Sequence, residues 1–185
     1  MLAQFKSRAS WPLAITAGAA MAAMTLVMQK VFLKPIEAVG MGMDDMVDMR
    51  ILGYSPSELR HMLTELESSG RRGLRRLIVA DFGLGAIYAM LLATLTARAL
   101  RLAAPNSSAW DWLILVPFGA MLADWGEGAL GLRNVSGYPD ITDVSARAGS
   151  AVTRLKWILL IASFATPVVL FGVGIARTAG SRRRA

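Results

Sequence analysis

Four segments of the sequence are each long and apolar enough to cross a membrane as a helix. A hydrocarbon core ~30 Å thick needs about 20 apolar residues in an α-helix, and a helix satisfies its own backbone hydrogen bonds in lipid. We place the spans at about residues 11–33, 78–100, 110–132 and 152–176. The mean hydropathy of +0.47 agrees with this placement. The sequence therefore predicts one all-α integral membrane domain over residues 1–185, an antiparallel bundle of four transmembrane helices.

The first apolar segment also has features of a cleaved signal peptide. Lys6 and Arg8 precede it, and it contains the small-residue run AGAAMAA. The apolar core of a signal peptide has about 7–15 residues, whereas this segment continues from Trp11 to Leu33. We therefore expect a retained first span.

The net charge of +7 is explained by basic residues that flank the predicted membrane spans. Basic residues there meet anionic lipid head groups, so we expect the lipid bilayer, and not nucleic acid, as the partner of this charge. The chain has no cysteine and one histidine, His61. This composition excludes disulfides, thiolate metal sites and a bis-histidine haem within one chain. No phosphate-binding or cofactor motif is present, and we expect no cofactor.

Short basic segments predict the orientation of the bundle. The end that carries both termini and the 101–109 loop holds eight basic residues: Lys6, Arg8, Arg98, Arg101, Arg177 and Arg182–Arg184. The opposite end has more basic residues, but they are spread over longer loops and mixed with acids. The positive-inside rule therefore favours both termini in the cytoplasm.

An amphipathic helix is predicted in the long first loop, over residues 56–69. Ser55 is suited to the N-cap, Pro56 to the first helical position and Glu58 to a capping box, and Gly70 is suited to ending the helix. One face would carry apolar residues at helical spacing: Leu59, Met62, Leu63 and Leu66. We expect this helix to lie on the membrane or to pack over the bundle like a lid.

Three carboxylates lie inside the apolar spans. Asp124 and Glu127 are three residues apart and share a face of the third span, and Asp81 lies near the start of the second. Because consecutive spans run in opposite directions, all three converge on one half of the membrane. An ionised side chain at the bilayer centre costs about 2.5–3.5 kcal/mol on insertion scales, so each of them needs a partner, a wet cavity or a route to the surface.

Three interpretations of these carboxylates stay open. They can form an ion-pair network that holds the helices together. They can form a functional site that transfers protons, binds a ligand head group or performs acid–base chemistry. Glu127 can alternatively extend toward the membrane surface. Further candidates for ligand binding are Lys156, Arg133 and Arg71, the last as an anion clamp.

A second group of acids lies in MGMDDMVDM, residues 41–49, among four methionines. Asp44, Asp45 and Asp48 are weak candidates for metal ligands. Thioethers suit soft Cu(I) and carboxylates suit harder ions, and the spacing lacks the oxygen ladder of a calcium loop. The pattern favours a loop or short helix whose methionines pack on the bundle.

Several short motifs follow one another between about residues 35 and 160. Before the amphipathic helix are Asp48, Arg50, Gly53, Tyr54 and Ser55. Gly70 and Arg71 lead into span 2, which carries Asp81 and Tyr88, and span 3 carries Pro117, Asp124 and Glu127. Tyr138 and Pro139 precede span 4, which opens with Thr153 and Lys156. In this order they resemble a group of small four-span bacterial membrane proteins with a GR…D motif in span 2 and a P…DxxEN motif in span 3.

The resemblance implies the four-span fold, the cluster of Asp81, Asp124 and Glu127, a site role for Tyr88 and a bacterial cytoplasmic membrane location. It implies no activity. The chain departs from the pattern at Leu74, where the group has tyrosine, and at Gly128, where it has asparagine. These departures affect any role that depends on a polar side chain at either position.

Three functions follow as hypotheses. The first is non-enzymatic, an accessory or interaction subunit that binds other membrane subunits or a second copy of the chain through small-residue helix faces. The second is a membrane enzyme or carrier for a lipid-like substrate that uses Asp81, Asp124 and Glu127. The third is an ion or proton pathway.

Overall fold

The computed structural model describes residues 1–182, and these residues form helices joined by short connections and one long loop. Four helical segments are long and apolar enough to cross a membrane: Trp11–Glu37, Glu67–Ala103, Asp111–Gly137 and Asp143–Gly180. The predicted all-α class is confirmed, and the four segments fit an integral membrane protein. Arg183 and Arg184, which contributed to the predicted orientation, lie outside the described residues.

Seven α-helices follow one another within residues 1–182. They are α1 (Leu2–Arg8), α2 (Trp11–Val27), α3 (Lys34–Glu37), α4 (Pro56–Glu65), α5 (Glu67–Ala103), α6 (Val116–Gly137) and α7 (Asp143–Arg182). A π-helical turn, Met28–Phe32, joins α2 to α3, and a 3₁₀ turn, Asp111–Leu115, leads into α6. Two further 3₁₀ turns, Met43–Asp45 and Val47–Met49, lie in the loop before α4.

Polar contacts show that the long helices alternate in direction. Lys6 Nζ lies 2.9 Å from Asp111 Oδ1 and 2.9 Å from the carbonyl oxygen of Ser107, and Arg177 donates to the carbonyl of Ala103. The start of the chain, the connection from α5 to α6 and the last turns of α7 therefore meet at one end, the terminal end. The long loop and α4 lie at the other, the loop end.

Helix α5 lies at the centre of the bundle and packs against α2, α6 and α7. Small residues make this possible, since Ala89, Ala93 and Ala97 are fully buried in its terminal half. Small side chains allow helix backbones to approach closely in a membrane, where packing and not water exclusion drives helix association.

The predicted amphipathic helix is α4, and its cap is the predicted one. Ser55 Oγ accepts from the backbone N–H of Glu58 at 3.2 Å, and Glu58 Oε2 accepts from the backbone N–H of Ser55 at 2.7 Å. The predicted apolar face is buried, with Leu63 and Leu66 at 0% exposure. This face packs on the loop-end core together with Leu33, Ile36, Met46, Leu74 and Val135. Helix α4 therefore covers the loop end of the bundle.

The predicted end of this helix is wrong. Helix α4 ends at Glu65, and α5 begins at Glu67, whose φ of 49° redirects the chain at once. Gly70 lies within α5 and is buried, and a Cβ there would come within 2.9 Å of the Leu66 side chain. The glycine therefore serves close packing at the junction, a tertiary requirement that local capping patterns do not reveal.

Pro117 and Pro167 both fall inside the apolar segments of the sequence, where a proline is expected to kink a helix, but at Pro117 this expectation is wrong. Pro117 lies at the beginning of α6, after the 3₁₀ turn, where the missing N–H of proline needs no helical acceptor. Pro167, in contrast, lies inside α7 as expected.

We expect acid to loosen α4 at its N-terminus. Hydrogen bonds from the backbone N–H and hydroxyl of Ser55 and the charge of Arg50 lower the pKa of Glu58 below 4.5. A carboxyl with a lowered pKa in the folded state stabilises the fold above its unfolded pKa and loses that effect as the pH falls through the folded value. Protection from hydrogen exchange over residues 56–66, corrected for the intrinsic exchange rate, should therefore decrease as the pH falls below the unfolded pKa of glutamate. Glu58→Gln should exchange faster at neutral pH and lose this pH dependence, and an unchanged profile in Glu58→Gln would contradict the assignment.

Candidate functional site

A cavity of about 320 Å³ lies in the loop half of the bundle. Helices α2, α5, α6 and α7 line it together with the loop of residues 43–54, and most of its wall is apolar. At the terminal end α2 and α7 meet through the stacked rings of Trp11 and Phe171, with centroids 6.3 Å apart. Toward the loop end the same two helices border the cavity. Its charged lining residues are Asp48, Asp81, Asp124, Glu127 and Lys156.

Lys156 joins two of the carboxylates. Its Nζ forms an ion pair with Glu127 and lies 3.5 Å from Asp124 Oδ1. The three side chains are buried, at 6–8% exposure. Thr153, one turn before Lys156 on α7, donates its hydroxyl to Glu127. These contacts hold α6 against α7 inside the apolar part of the bundle.

Asp124 also faces α5. The Tyr88 hydroxyl donates to Asp124 Oδ2 at a long 3.4 Å, and a Cβ on Gly85 would lie 3.2 Å from that oxygen. The neighbouring Trp125 donates its indole N–H to the carbonyl of Phe82 at 2.9 Å. The absence of a side chain at Gly85 therefore lets the polar face of α6 reach α5.

Asp81 and Asp48 border the same cavity without such partners. Asp81 is half-buried on α5, and Asp48 is half-buried in the second 3₁₀ turn of the loop. Within residues 1–182 neither carboxylate has a side-chain or backbone donor within hydrogen-bond distance or a cation within 4.0 Å. Trp157 does hold the loop here, but through the backbone oxygen of Asp48 at 3.0 Å. The cavity wall thus carries four carboxylates and one lysine.

Tyr54 completes the wall on the loop side. Its backbone N–H donates to Ser150 Oγ at 2.8 Å, and its hydroxyl occupies the space that a Cβ on Gly149 would need. Burial, with the negative charge of Glu127 nearby, raises the pKa of Tyr54 to about 12. The tyrosine is therefore a neutral hydrogen-bonding group at physiological pH.

Gly53 sets the turn that delivers Tyr54, and replacing it should be costly. Its φ is +80°, and a Cβ there would come within 2.5 Å of Ser150 Oγ. Gly40 has a similar φ of +82° with open space around it. Gly40→Ala should cost about 1 kcal/mol of unfolding free energy from backbone strain alone, and Gly53→Ala about 2–3 kcal/mol because a steric clash is added. Unfolding curves in mild detergent measure both, and equal losses would contradict the close approach at Gly53.

Asn134 is a further polar residue of the cavity wall. It is 3% exposed, and its Oδ1 accepts from the hydroxyl of Ser145 at 2.5 Å. Its Nδ2 has no acceptor among the described residues. Buried amide donors are almost always satisfied in folded proteins. Asn134 therefore keeps an unused hydrogen-bond donor beside the cavity, which a ligand would reach through a small shift of the surrounding side chains.

The remaining sequence candidates lie away from the cavity. Arg71 donates to the carbonyl of Leu63 at 2.6 Å and stacks 4.3 Å from the Tyr138 ring centroid, so it joins α4 to α5. Arg133 and Asp44 are exposed, and Asp45 caps the backbone N–H of Gly42. Within the described part of the chain, no group of three or more histidine, aspartate or glutamate side chains could hold a metal ion.

The interpretation that Glu127 extends toward the membrane surface disagrees with the structure. Its carboxylate faces Lys156 and Thr153 in the bundle interior. Sequence reasoning did not select Tyr54 or Asn134 as site residues. Tyr54 carried a signal as part of a motif before α4, whereas nothing local marked Asn134.

The two departures from the resembled pattern both fall on the cavity wall. Leu74 is buried in the loop-end core. A Cβ on Gly128 would lie 3.2 Å from Phe82 and 3.3 Å from Ile78, so the glycine lets α6 approach α5. Leucine and glycine at these positions make the wall more apolar than tyrosine and asparagine would.

Comparisons of the chain with protein-family models, with curated proteins and with solved structures gave no match. The resemblance to the four-span bacterial group therefore stays a prediction.

Proposed function

We propose that this protein binds a membrane amphiphile, with the polar head group in the cavity and the hydrocarbon tail toward lipid, as a carrier or enzyme for a lipid-like substrate. One observation carries the proposal: a cavity of about 320 Å³ has an apolar wall interrupted by four carboxylates and one lysine. Ligand sites are typically concave and mostly apolar, with a few polar groups that orient the ligand.

The surface of α7 offers a path for the tail. A shallow apolar groove runs along this helix from Trp157 to Val169. It shares Trp157, Leu160 and Phe164 with the cavity. An amphiphile with its head group among the carboxylates would have a continuous apolar surface for its chain, on the side that faces lipid.

A purely structural network explains only part of the cluster. Asp124, Glu127 and Lys156 satisfy one another and join α6 to α7. Asp81 and Asp48 contribute no such contact, and an unpaired carboxylate in this environment carries a desolvation cost. Charged groups kept at such a cost are characteristic of ligand and ion sites in membrane proteins. The unpaired acids therefore favour a ligand site.

The other two hypotheses have less support. An ion or proton pathway needs a polar route through the bundle, but the terminal half is packed with apolar side chains such as Ala93, Ala97, Leu100 and Ile114. An accessory subunit would bind a partner through a helix face. Small residues recur every four positions on α2, at Ala14, Gly18 and Ala22. Part of this face is already packed within the chain, since Ala14 is buried and a Cβ on Gly18 would lie 4.0 Å from Leu91 on α5.

Native mass spectrometry of the full chain released from lipid nanodiscs tests the proposal. We expect one amphiphile class bound stoichiometrically and enriched over the bulk lipid. Leu160→Trp should fill the cavity and lower occupancy by about tenfold or more, a change of ~1.4 kcal/mol or larger. Ile158→Trp is the matched control on the same helix, because Ile158 is 66% exposed on the lipid side.

Two results would count against the proposal. A chain without any bound amphiphile, or equal occupancy in the two tryptophan variants, would contradict binding in the cavity. A stoichiometric protein companion in place of an amphiphile would favour the accessory-subunit hypothesis.

A further inference from the structure

The charge balance of the cavity restricts the head group that it can accept. Four carboxylates and one lysine line the wall, and that lysine is already shared by Asp124 and Glu127. Among the described residues no arginine lines the cavity, and Arg71 and Arg133 lie outside it. A phosphate, sulfate or carboxylate head group would meet uncompensated negative charge from Asp81 and Asp48, which repels it strongly in a low-dielectric site.

A second observation points to a different feature of the same ligand. Asn134 lines the cavity and is 3% exposed; its enclosed Nδ2 donor has no acceptor among the described residues, while Ser145 satisfies its oxygen. A donor of this kind binds a hydroxyl, ether or carbonyl oxygen. A Cβ on Gly128 would lie 3.2 Å from Phe82, the residue after Asp81, and Asn134 follows Gly128 by six residues on α6, which places it about 9 Å nearer the loop end than Asp81. The donor and the carboxylates therefore contact separate parts of a head group.

We infer that the cavity selects amphiphiles whose head group carries an ammonium group, bound by Asp81 and Asp48, and a hydrogen-bond-accepting oxygen, bound by Asn134. This inference rests on the proposed function and names its substrate class. Ammonium-to-carboxylate hydrogen bonds are short and strong, and the paired charges share the cost of desolvation. An amino-alcohol amphiphile satisfies both requirements.

Three probes with the same chain test the ammonium requirement: dodecylamine, dodecanol and dodecanoic acid. Each is titrated into phosphatidylcholine nanodiscs that hold the full chain, and occupancy is measured by native mass spectrometry. We expect the apparent Kd of the amine to be at least about tenfold lower than that of the alcohol, with the acid weakest. Asp81→Asn should remove most of the difference between amine and alcohol. Asp45→Asn, at an exposed acid of the loop that carries Asp48, should leave the difference unchanged.

A comparison of 1-amino-2-dodecanol with dodecylamine tests the role of Asn134. We expect the amino alcohol to bind several-fold more tightly to the wild-type protein. Asn134→Leu should abolish this advantage. Ser145→Ala removes the same Asn134–Ser145 hydrogen bond but keeps the Nδ2 donor, so the advantage should persist there. Loss of the advantage in both variants, or in neither, would overturn the assignment of Asn134.

The outcomes separate this inference from the proposed function. Saturable binding in which the acid or the alcohol has the lowest apparent Kd would overturn the ammonium requirement but would still support an amphiphile site. No saturable binding of any of the probes would overturn both. Preference for the amine in the wild-type protein and in Asp81→Asn alike would show that the bilayer, and not the cavity, selects it, and would also overturn the inference.

Discussion

Replacement of Lys156 by methionine is expected to lower the free energy of unfolding by about 3–5 kcal/mol. Methionine keeps much of the side-chain volume but removes the cation that Glu127 and Asp124 share. Both carboxylates would then be buried without a cation, and breaking one half of a buried ion pair is far more destabilising than the pair itself is stabilising.

Unfolding in mixed detergent micelles measures this loss, and a double variant tests its cause. Lys156→Met combined with Glu127→Gln should be more stable than Lys156→Met alone, because the second change neutralises one stranded charge. Lys30→Met, at an exposed lysine of the first span, should change stability by less than about 0.5 kcal/mol. A loss below about 1 kcal/mol in Lys156→Met would contradict the ion-pair network.

Asp81→Asn, unlike Lys156→Met, is expected not to lower the free energy of unfolding. In the absence of bound amphiphile, its unfolding free energy should be unchanged or higher by up to about 2.5 kcal/mol, because the substitution removes a charge without removing an ion pair. The same substitution at Asp111 should destabilise, since that buried carboxylate lies 2.9 Å from Lys6 Nζ and holds α1 to the terminal end. Unfolding of both variants after delipidation gives the comparison, and a marked loss in Asp81→Asn would mean that Asp81 has a structural partner.

Together these two predictions divide the acids of the cavity into two classes. Asp124 and Glu127 are expected to contribute to stability through Lys156, whereas Asp81 is proposed to bind the ligand. A site in which every carboxylate proved essential for folding would be a structural network only.

Much of the fold could be predicted from local pattern. The apolar segments gave the four spans, because helix length and bilayer thickness are linked directly. Ser55, Pro56 and Glu58 gave the start of α4 through their cap chemistry. The end of α4 could not be predicted in this way, because the helix breaks at Leu66 and Glu67, where Leu66 enters the core. Gly70 does not end the helix; its lack of a side chain allows close packing against Leu66.

The site was predictable only as far as helix geometry reaches. Asp124 and Glu127 could be placed beside Asp81, because their spacing along one helix and the opposite directions of consecutive spans both follow from regular helix geometry. Asp48 and Tyr54 reach the cavity through an irregular loop, whose path depends on contacts with Ser150 and Trp157 far along the chain. Arg71 was expected near the ligand and instead stacks on Tyr138, since its environment depends on how α4 folds back.

The most direct test of the central claim is the occupancy of bound amphiphile in Asp81→Asn. Wild-type protein, Asp81→Asn and the control Asp45→Asn would be purified in parallel in lipid nanodiscs and compared by native mass spectrometry. We predict a stoichiometric amphiphile in the wild type and in Asp45→Asn, and an occupancy lower by about tenfold or more in a folded Asp81→Asn. Equal occupancy in all three proteins would contradict a head-group site at Asp81.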